Sequence, residues 1–167
     1  AFVGKDDYLA WKCLHKLKQL VLGEDYPGST LKELDEVQDP RTVFDELRTT
    51  PFLGMEGFRL VSVRGGDKFV SAAREQLEDY LAAPNPTSIL ALCCKTLPSN
   101  TRVYKAAVDI GCVVDCKPLR WRDMQDWARL CAQELDMEIH PAAVQQLLNV
   151  VGMSPGAVES EMEKLAA

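Results

Sequence analysis

Short aliphatic runs alternate along this chain with longer segments in which apolar residues recur every three or four positions. The two clearest runs, 58–63 and 88–94, are typical of strands that are buried on both faces of a parallel sheet. Weaker runs at 1–4, 30–37 and 111–116 predict three further strands. Because strands that alternate with helices form βα units, the pattern predicts an α/β domain with helices on both faces of a parallel sheet.

Start and stop signals delimit the helices between these runs. Asp6 or Asp7 can cap a first helix that ends at Gly23, and Asp39 followed by Pro40 is the signature of a second helix start. Two more helices are predicted, one after the turn at 65–67 and one at 101–108.

The pattern changes after residue 116, because no further strand-like run follows. Three short amphipathic segments, at 122–135, 141–151 and 155–165, predict a small helical domain. We therefore expect an α/β domain at 1–118 and a three-helix domain at 119–167. The last helix ends at Ala167 without a capping signal, so we expect the native chain to continue.

The connection before the strand at 58–63 carries apolar residues. Pro51 disfavours a helical conformation at Thr50, and Gly54 interrupts the segment again, so Phe52 and Leu53 lie on a short connection. Apolar residues in such a place are either packed under their own domain or offered to a partner. The residues alone leave both interpretations open.

Composition excludes several classes of protein. Of 167 residues, 47% are hydrophobic and 26% charged, as in an ordinary soluble domain, and the net charge of −6 does not favour nucleic acid overall. There is no signal peptide and no apolar run long enough to span a membrane, so we expect a cytoplasmic protein. A local basic cluster of Lys117, Arg120 and Arg122 is interpreted as a solvated face or, alternatively, as a DNA or phosphate contact.

Six cysteines occur without a CxxC pair, and we interpret them as reduced and buried. Cys112 and Cys116 are four residues apart in a predicted strand and should share one face, but companion ligands for zinc are missing, so we expect no metal. We interpret His15 and His140 as structural residues, because neither has a nucleophile at a known motif spacing.

The turn after the first strand, Gly4-Lys5-Asp6-Asp7, lies where a P-loop would stand. A P-loop needs a second glycine and a Ser or Thr after the lysine, and both are missing here. We therefore expect no nucleotide cofactor and no catalysis by this chain.

Taken together, these segments resemble the delta subunit of bacterial DNA polymerase III. The resemblance covers nearly the whole chain and depends on the order and spacing of its motifs. They are Gly4-Lys5-Asp6-Asp7-Tyr8-Leu9, Leu47-Arg48-Thr49-Thr50-Pro51-Phe52-Leu53-Gly54, Arg59-Leu60-Val61, Val113-Val114-Asp115-Cys116-Lys117-Pro118-Leu119 and the closing Glu161-Met162-Glu163-Lys164-Leu165.

The resemblance implies a clamp-loader subunit without ATP hydrolysis of its own, which binds the sliding clamp and helps to open the ring. It implies an AAA+-like α/β domain at 1–118, a three-helix lid at 119–167, and a collar domain that is absent from this chain. The family's clamp-binding element falls on Thr50, Pro51, Phe52 and Leu53, with the last two as anchors, although other members often end this element with Phe.

Companion subunits and DNA would be met through the loader, by way of the missing collar, so we expect the chain alone to be monomeric. Two other functions are weighed against this one. An active P-loop ATPase is opposed by the incomplete turn at 4–7. A phosphoacceptor signalling domain would use Asp6, Asp7 and Lys95, but Val63-Arg64 stands where its acceptor Asp would end the third strand.

Overall fold

The structure, a computed structural model, describes residues 1–23, 26, 28–37, 39–49 and 58–166. It divides into two compact units, the α/β unit Ala1–Cys116 and the helical unit Lys117–Ala167. The strands in the described residues are β1 Phe2–Val3, β2 Leu31–Asp35, β3 Arg59–Arg64, β4 Ser88–Cys94 and β5 Val114–Asp115. The helices in the same residues are α1 Asp7–Leu22, α2 Pro40–Arg48, α3 Gly66–Ala72, α4 Arg74–Ala82, α5 Arg102–Ile110, α6 Trp121–Glu134, α7 Pro141–Val151 and α8 Pro155–Ala166.

All five described strands join one parallel sheet in the order β2-β3-β4-β1-β5. Alternation along β3 shows how both faces are covered. Val61 and Val63 pack into a core with α2, α3, α4 and α5, whereas Leu60 and Ser62 point to the opposite face and are also fully buried. Right-handed crossovers place α1 on that opposite face, so the prediction of a parallel sheet with helices on both faces is confirmed.

The segment between β3 and β4 is two helices rather than the single helix that the sequence predicted. At Ala73 the backbone leaves the helical region, with φ −111° and ψ 24°. The break lets both short helices direct apolar side chains into one core: Phe69 and Val70 from α3, Leu77 and Leu81 from α4. Continuous apolar spacing across the break concealed it in the sequence.

The prediction that Phe58 begins the buried strand is wrong. The strand begins one residue later, at Arg59, and the Phe58 side chain is 47% exposed. The backbone N–H of Arg59 donates to the carbonyl of Thr87 at 2.9 Å, which starts the pairing of β3 with β4.

The helical unit has its own core. Residues from α6, α7 and α8 bury one another, and these are Met124, Ala128, Cys131, Ala132, Val144, Leu148, Val158 and Met162. The Trp127 indole N–H donates to the carbonyl of Pro155 at 3.0 Å and thereby joins α6 to the start of α8. Within the described ranges, every helix is too short or too polar to cross a membrane.

Candidate functional site

The predicted clamp-binding residues Thr50, Pro51, Phe52 and Leu53 lie outside the described residues. The structure describes both ends of the connection that carries them, Thr49 after α2 and Phe58 before β3. In a right-handed βαβ unit the helix returns to the start of the next strand. Both ends therefore lie at the amino-terminal edge of the parallel sheet.

Helix α2, which ends where this connection begins, is held at its start and along its inner face. Asp39 caps its first turn by accepting from the Arg41 N–H at 3.0 Å, and Val43, Phe44 and Leu47 bury its inner face. In a continued helix the carbonyl of Leu47 would accept from residue 51, but Pro51 has no N–H.

Asn85 supplies the missing donor. Its side-chain amide N–H donates to the Leu47 carbonyl at 2.9 Å, and its side-chain oxygen accepts from the Thr87 N–H at 3.0 Å and from the Thr87 hydroxyl at 2.9 Å. The turn between α4 and β4 thus completes the end of α2. No local sequence signal identifies this function of Asn85, because its partner lies 38 residues away in the chain.

A charged network ties the same end of α2 to the sheet. The Glu46 carboxylate pairs with the guanidinium of Arg59, the first residue of β3, and with Lys32 of β2 at 3.3 Å. Burial by itself would raise the pKa of Glu46, but hydrogen bonds from Arg59 and Lys32 outweigh it and hold the pKa below its ordinary value. The start of β3 is therefore fixed from two sides, by Glu46 and by Thr87.

A cleft of about 830 Å³ runs between α2 and α4 beside this end. Its walls combine aromatic and charged side chains, and the ring centroids of Phe44 and Tyr80 lie 6.1 Å apart. The lining residues are Arg41, Phe44, Asp45, Arg48, Gln76, Asp79, Tyr80, Ala83, Pro84, Asn85 and Pro86. The cleft carries both charge signs, so it favours no ligand charge.

The β1–α1 turn lies at the opposite, carboxyl-terminal edge of the sheet. The Asp6 carboxylate accepts from the Leu9 N–H at 3.0 Å and so occupies the helix N-terminus that binds phosphate in a P-loop. Asp7 adds a second negative charge in the first turn. This turn presents acid where a nucleotide would need donors.

A crevice of about 300 Å³ beside that turn contains both acids and bases, including Lys95. Among its charged groups, Arg64 pairs with Asp35 through two contacts of 2.6 Å, and Lys18 pairs with Glu33 at 2.6 Å. These pairings neutralise two of the basic groups that line the crevice.

Asp67 has a structural role at the same edge. It accepts from the N–H groups of Lys95 and Thr96, both at 2.9 Å, and from the Thr96 hydroxyl at 3.1 Å. Burial alone would raise the pKa of Asp67, but these hydrogen bonds outweigh it and lower the pKa. Asp67 thus ties the start of α3 to the end of β4.

The strand order differs from that of the phosphoacceptor signalling domains considered as an alternative. In doubly wound signalling domains the order 2-1-3-4-5 places β1 between β2 and β3. Here β1 lies between β4 and β5, so the sheet that Asp6, Asp7 and Lys95 adjoin has a different strand order from the sheet of those domains.

The basic cluster lies at the start of α6 in the helical unit. Lys117 precedes the helix, Arg120 is its N-cap residue, and Arg122 lies in the first turn. The Arg120 side chain is 92% exposed and lies 3.6 Å from the Asp123 carboxylate. The arrangement is compatible with a solvated face, and a DNA contact here stays a prediction.

The prediction that Cys112 and Cys116 share a buried face is wrong, because the strand between them spans only Val114–Asp115. Cys116 is buried and Cys112 is exposed. Both histidines make local structural contacts. The His15 ring stacks on the Trp11 ring with 5.5 Å between ring centroids, and the His140 Nδ1 accepts from the Ala142 N–H at the start of α7. No cluster of His, Cys, Asp or Glu in the described residues is arranged to hold a metal ion.

No protein-family model matches the chain. Its sequence is 23% identical over 173 residues to the DNA polymerase III subunit delta of Bacillus subtilis, across 97% of this chain and 49% of that protein. Its fold is similar to that of the Bacillus subtilis DNA clamp loader delta protein, with a TM-score of 0.80 and 23% identity over 99% of this chain and 51% of that one. A DNA polymerase III gamma subunit-related protein of Thermotoga maritima matches with a TM-score of 0.50 and 18% identity, over 81% of this chain and 47% of that one.

The chain thus spans about half the length of the curated Bacillus relative, and about half of the matching Bacillus structure. The AAA+-like fold that the motifs implied is confirmed by the structural match. In sequence along nearly its whole length, and in fold, this chain is similar to the delta subunit of DNA polymerase III, a clamp-loader component, as its motifs indicated.

Proposed function

We propose that this chain acts as a clamp-loader delta subunit, which binds the sliding clamp and helps to open the ring for loading onto DNA. The observation that carries the proposal is the sequence similarity to a delta subunit across 97% of the chain. The binding element would be Thr50, Pro51, Phe52 and Leu53. Phe52 and Leu53 would be the anchors that fill an apolar pocket on the clamp.

The ends of the connection support this assignment. Asn85 completes the last turn of α2, and Arg59 is held by Glu46 and Thr87. A segment that begins and ends on fixed supports loses less conformational freedom on binding, so more of the contact energy becomes affinity.

The subunit would act by binding rather than by bond chemistry. Asp6 fills the helix N-terminus that would hold phosphate, and the turn lacks the residues that bind phosphate and magnesium. Ring opening would follow from tighter contacts with the open clamp than with the closed one, since a ligand shifts an equilibrium only by its differential affinity. ATP-driven motor subunits would control when the site is exposed.

In this proposal the α/β unit is the clamp-binding domain and the helical unit is the lid. Assembly with companion subunits, and indirect contact with DNA, would run through a collar domain beyond this chain, in the bacterial cytoplasm. The chain alone should then elute as a monomer in size-exclusion chromatography, also when motor subunits are added. Co-elution with the motor subunits would contradict this part.

The decisive experiment is a titration of the cognate sliding clamp with this chain and with the double variant Phe52→Ala/Leu53→Ala. Each truncated anchor is typically worth ~2 kcal/mol or more, so the double variant should bind at least about a hundredfold more weakly. A matched control is Val150→Ala/Leu165→Ala, which trims two apolar side chains that are 87% and 67% exposed in the helical unit.

The thermal midpoint of each variant separates the two interpretations of this connection. If the pair is a binding surface, the double variant loses affinity and keeps its midpoint. A double variant that melts far below the parent, yet binds equally well when folded, would show that Phe52 and Leu53 are core residues and that the clamp site is elsewhere.

A calorimetric titration with Mg–ATP tests the absence of nucleotide chemistry. We expect no saturable heat and no phosphate release. Saturable binding that Lys5→Ala abolishes would instead support an active P-loop.

A further inference from the structure

A cavity of about 240 Å³ lies between helices α4 and α5 and the start of strand β4. It belongs to the α/β unit, and the residues that line it are all among the described residues. A cavity of about 150 Å³ with aliphatic walls can hold benzene, so this one has room for an aromatic ring with a short substituent. Most of its wall is aliphatic, including Leu81 of α4, Leu90 and Leu92 of β4, and Val103 and Ala107 of α5.

Two hydroxyl groups in this wall, those of Ser88 and Tyr80, are shielded from solvent and have no hydrogen-bond partner among the described residues. Ser88 begins β4 and alternates with Leu90 and Leu92, which pack into the core beside α4 and α5, so its side chain faces the same side of the sheet. Buried polar groups in native proteins are nearly always hydrogen-bonded. Two unsatisfied hydroxyls in one wall therefore indicate a site for a molecule that can bond to them.

The Tyr80 ring is held in place by aromatic packing. Its centroid lies 6.1 Å from that of Phe44 on α2, and the ring forms part of both this cavity and the larger cleft between α2 and α4. Burial raises the pKa of Tyr80, and the nearby backbone of Asn85 opposes this rise only partly. The phenol therefore stays protonated at neutral pH and can donate a hydrogen bond.

The charge of the wall restricts the ligand further. No charged side chain of the described residues lines the cavity. The Ala1 amino group, which also lies in the wall, already donates to the Cys112 carbonyl at 2.7 Å. An ionised ligand would lose its hydration here without meeting an opposite charge, which costs far more than the burial of a neutral polar group. The cavity thus favours an uncharged ligand.

We propose that this cavity binds a small neutral molecule that combines a ring-sized apolar body with a hydrogen-bond acceptor such as a ketone. The body would pack against the aliphatic wall, and the acceptor would receive hydrogen bonds from the Ser88 and Tyr80 hydroxyls. Sites for small molecules have this design, mostly apolar with a few placed polar groups. The inference does not depend on clamp binding, so it would stand if that proposal failed.

Acetophenone and α-methylstyrene are matched probes, because the carbonyl group of the first is replaced by C=CH₂ in the second. Affinities would be measured from the backbone amide NMR shifts of Ile89, Val103 and Ala107, which line the cavity. A purely apolar cavity would prefer α-methylstyrene, since the ketone must give up its hydrogen bonds to water. We expect the opposite, with acetophenone bound at least about threefold more tightly, as one net hydrogen bond would provide. Benzoate, which is charged, should not bind.

Variants test which groups recognise the probe. Ser88→Ala combined with Tyr80→Phe removes both hydroxyls and little apolar bulk, so this double variant should lose the preference for acetophenone, still bind α-methylstyrene, and keep a thermal midpoint close to that of the parent. Ala107→Phe, which fills the cavity from α5, should abolish binding of both probes. Ser99→Ala and Ala143→Phe are matched controls on exposed residues and should bind like the parent.

Four results would overturn the inference. Acetophenone that causes no saturable shifts would show that the two hydroxyls bind only water. A parent that prefers α-methylstyrene would show that the cavity offers no useful donor. A preference for acetophenone that persists in the double variant would show that neither hydroxyl recognises the ligand. Unchanged binding by Ala107→Phe would place the probe elsewhere on the chain; if that variant does not fold, the double variant decides by itself.

Discussion

Replacing Asn85 with alanine removes the donor that completes α2. The Leu47 carbonyl is partly buried and accepts from the Asn85 amide at 2.9 Å, while the proline at position 51 offers it no N–H. A neutral hydrogen bond contributes about 0.5–1.5 kcal/mol net, and an unsatisfied buried partner costs about 1–3 kcal/mol. The two bonds to Thr87 are exposed, so water can replace them. We expect Asn85→Ala to lower the free energy of unfolding by about 1–3 kcal/mol.

A second substitution separates the donor from the acceptor. Asn85→Asp keeps the oxygen that accepts from Thr87 but loses the N–H, and it places a negative charge at a helix C-terminus, where the dipole is unfavourable. It should therefore destabilise at least as much as Asn85→Ala.

The assay is equilibrium urea unfolding followed by circular dichroism. The control is Asn100→Ala, since Asn100 is exposed on a surface turn. An Asn85→Ala variant within about 0.5 kcal/mol of the parent, the range usual for neutral surface changes, would refute the idea that Asn85 completes α2. An Asn85→Asp variant as stable as the parent would do the same.

Three further predictions concern the α/β unit. Ser62→Ala should leave stability unchanged or raise it by about 1 kcal/mol in the same urea assay, because the fully buried Ser62 hydroxyl has no hydrogen-bond partner among the described residues; a clear loss would reveal a partner. Gly66→Ala should lower the thermal midpoint, since its new Cβ would lie 3.0 Å from Cys94 Sγ and 3.2 Å from the Cys93 carbonyl oxygen; an unchanged midpoint would mean that these neighbours yield freely. Hydrogen bonds lower the pKa of Asp67 in the folded state, so the Asp67 carboxylate should stabilise the fold above about pH 4 and lose this effect as the pH falls through its folded pKa. Asp67→Asn should therefore flatten the fall of the unfolding free energy in acid, measured by urea unfolding at several pH values, and a slope identical to that of the parent would contradict the assignment.

The sequence by itself determined the order and type of most elements. Local signals, namely periodicity, helix caps, Gly and Pro, identify several of them. Examples are the helix start at Asp39-Pro40, the apolar run of β4, and the absence of strand-like runs after residue 116. The incomplete phosphate turn at 4–7 was also evident, because it depends on which residue types are absent from one short stretch.

Only the tertiary structure decided how these elements meet. Four features depend on packing that no local pattern specifies. They are the strand order, the exposure of Phe58, the separate environments of Cys112 and Cys116, and the break at Ala73. The pairing of Asn85 with Leu47 shows the physical reason. The lack of an N–H at Pro51 can be read from the sequence, but the donor that replaces it comes from a turn 38 residues beyond Leu47, brought there by the parallel crossover between neighbouring strands.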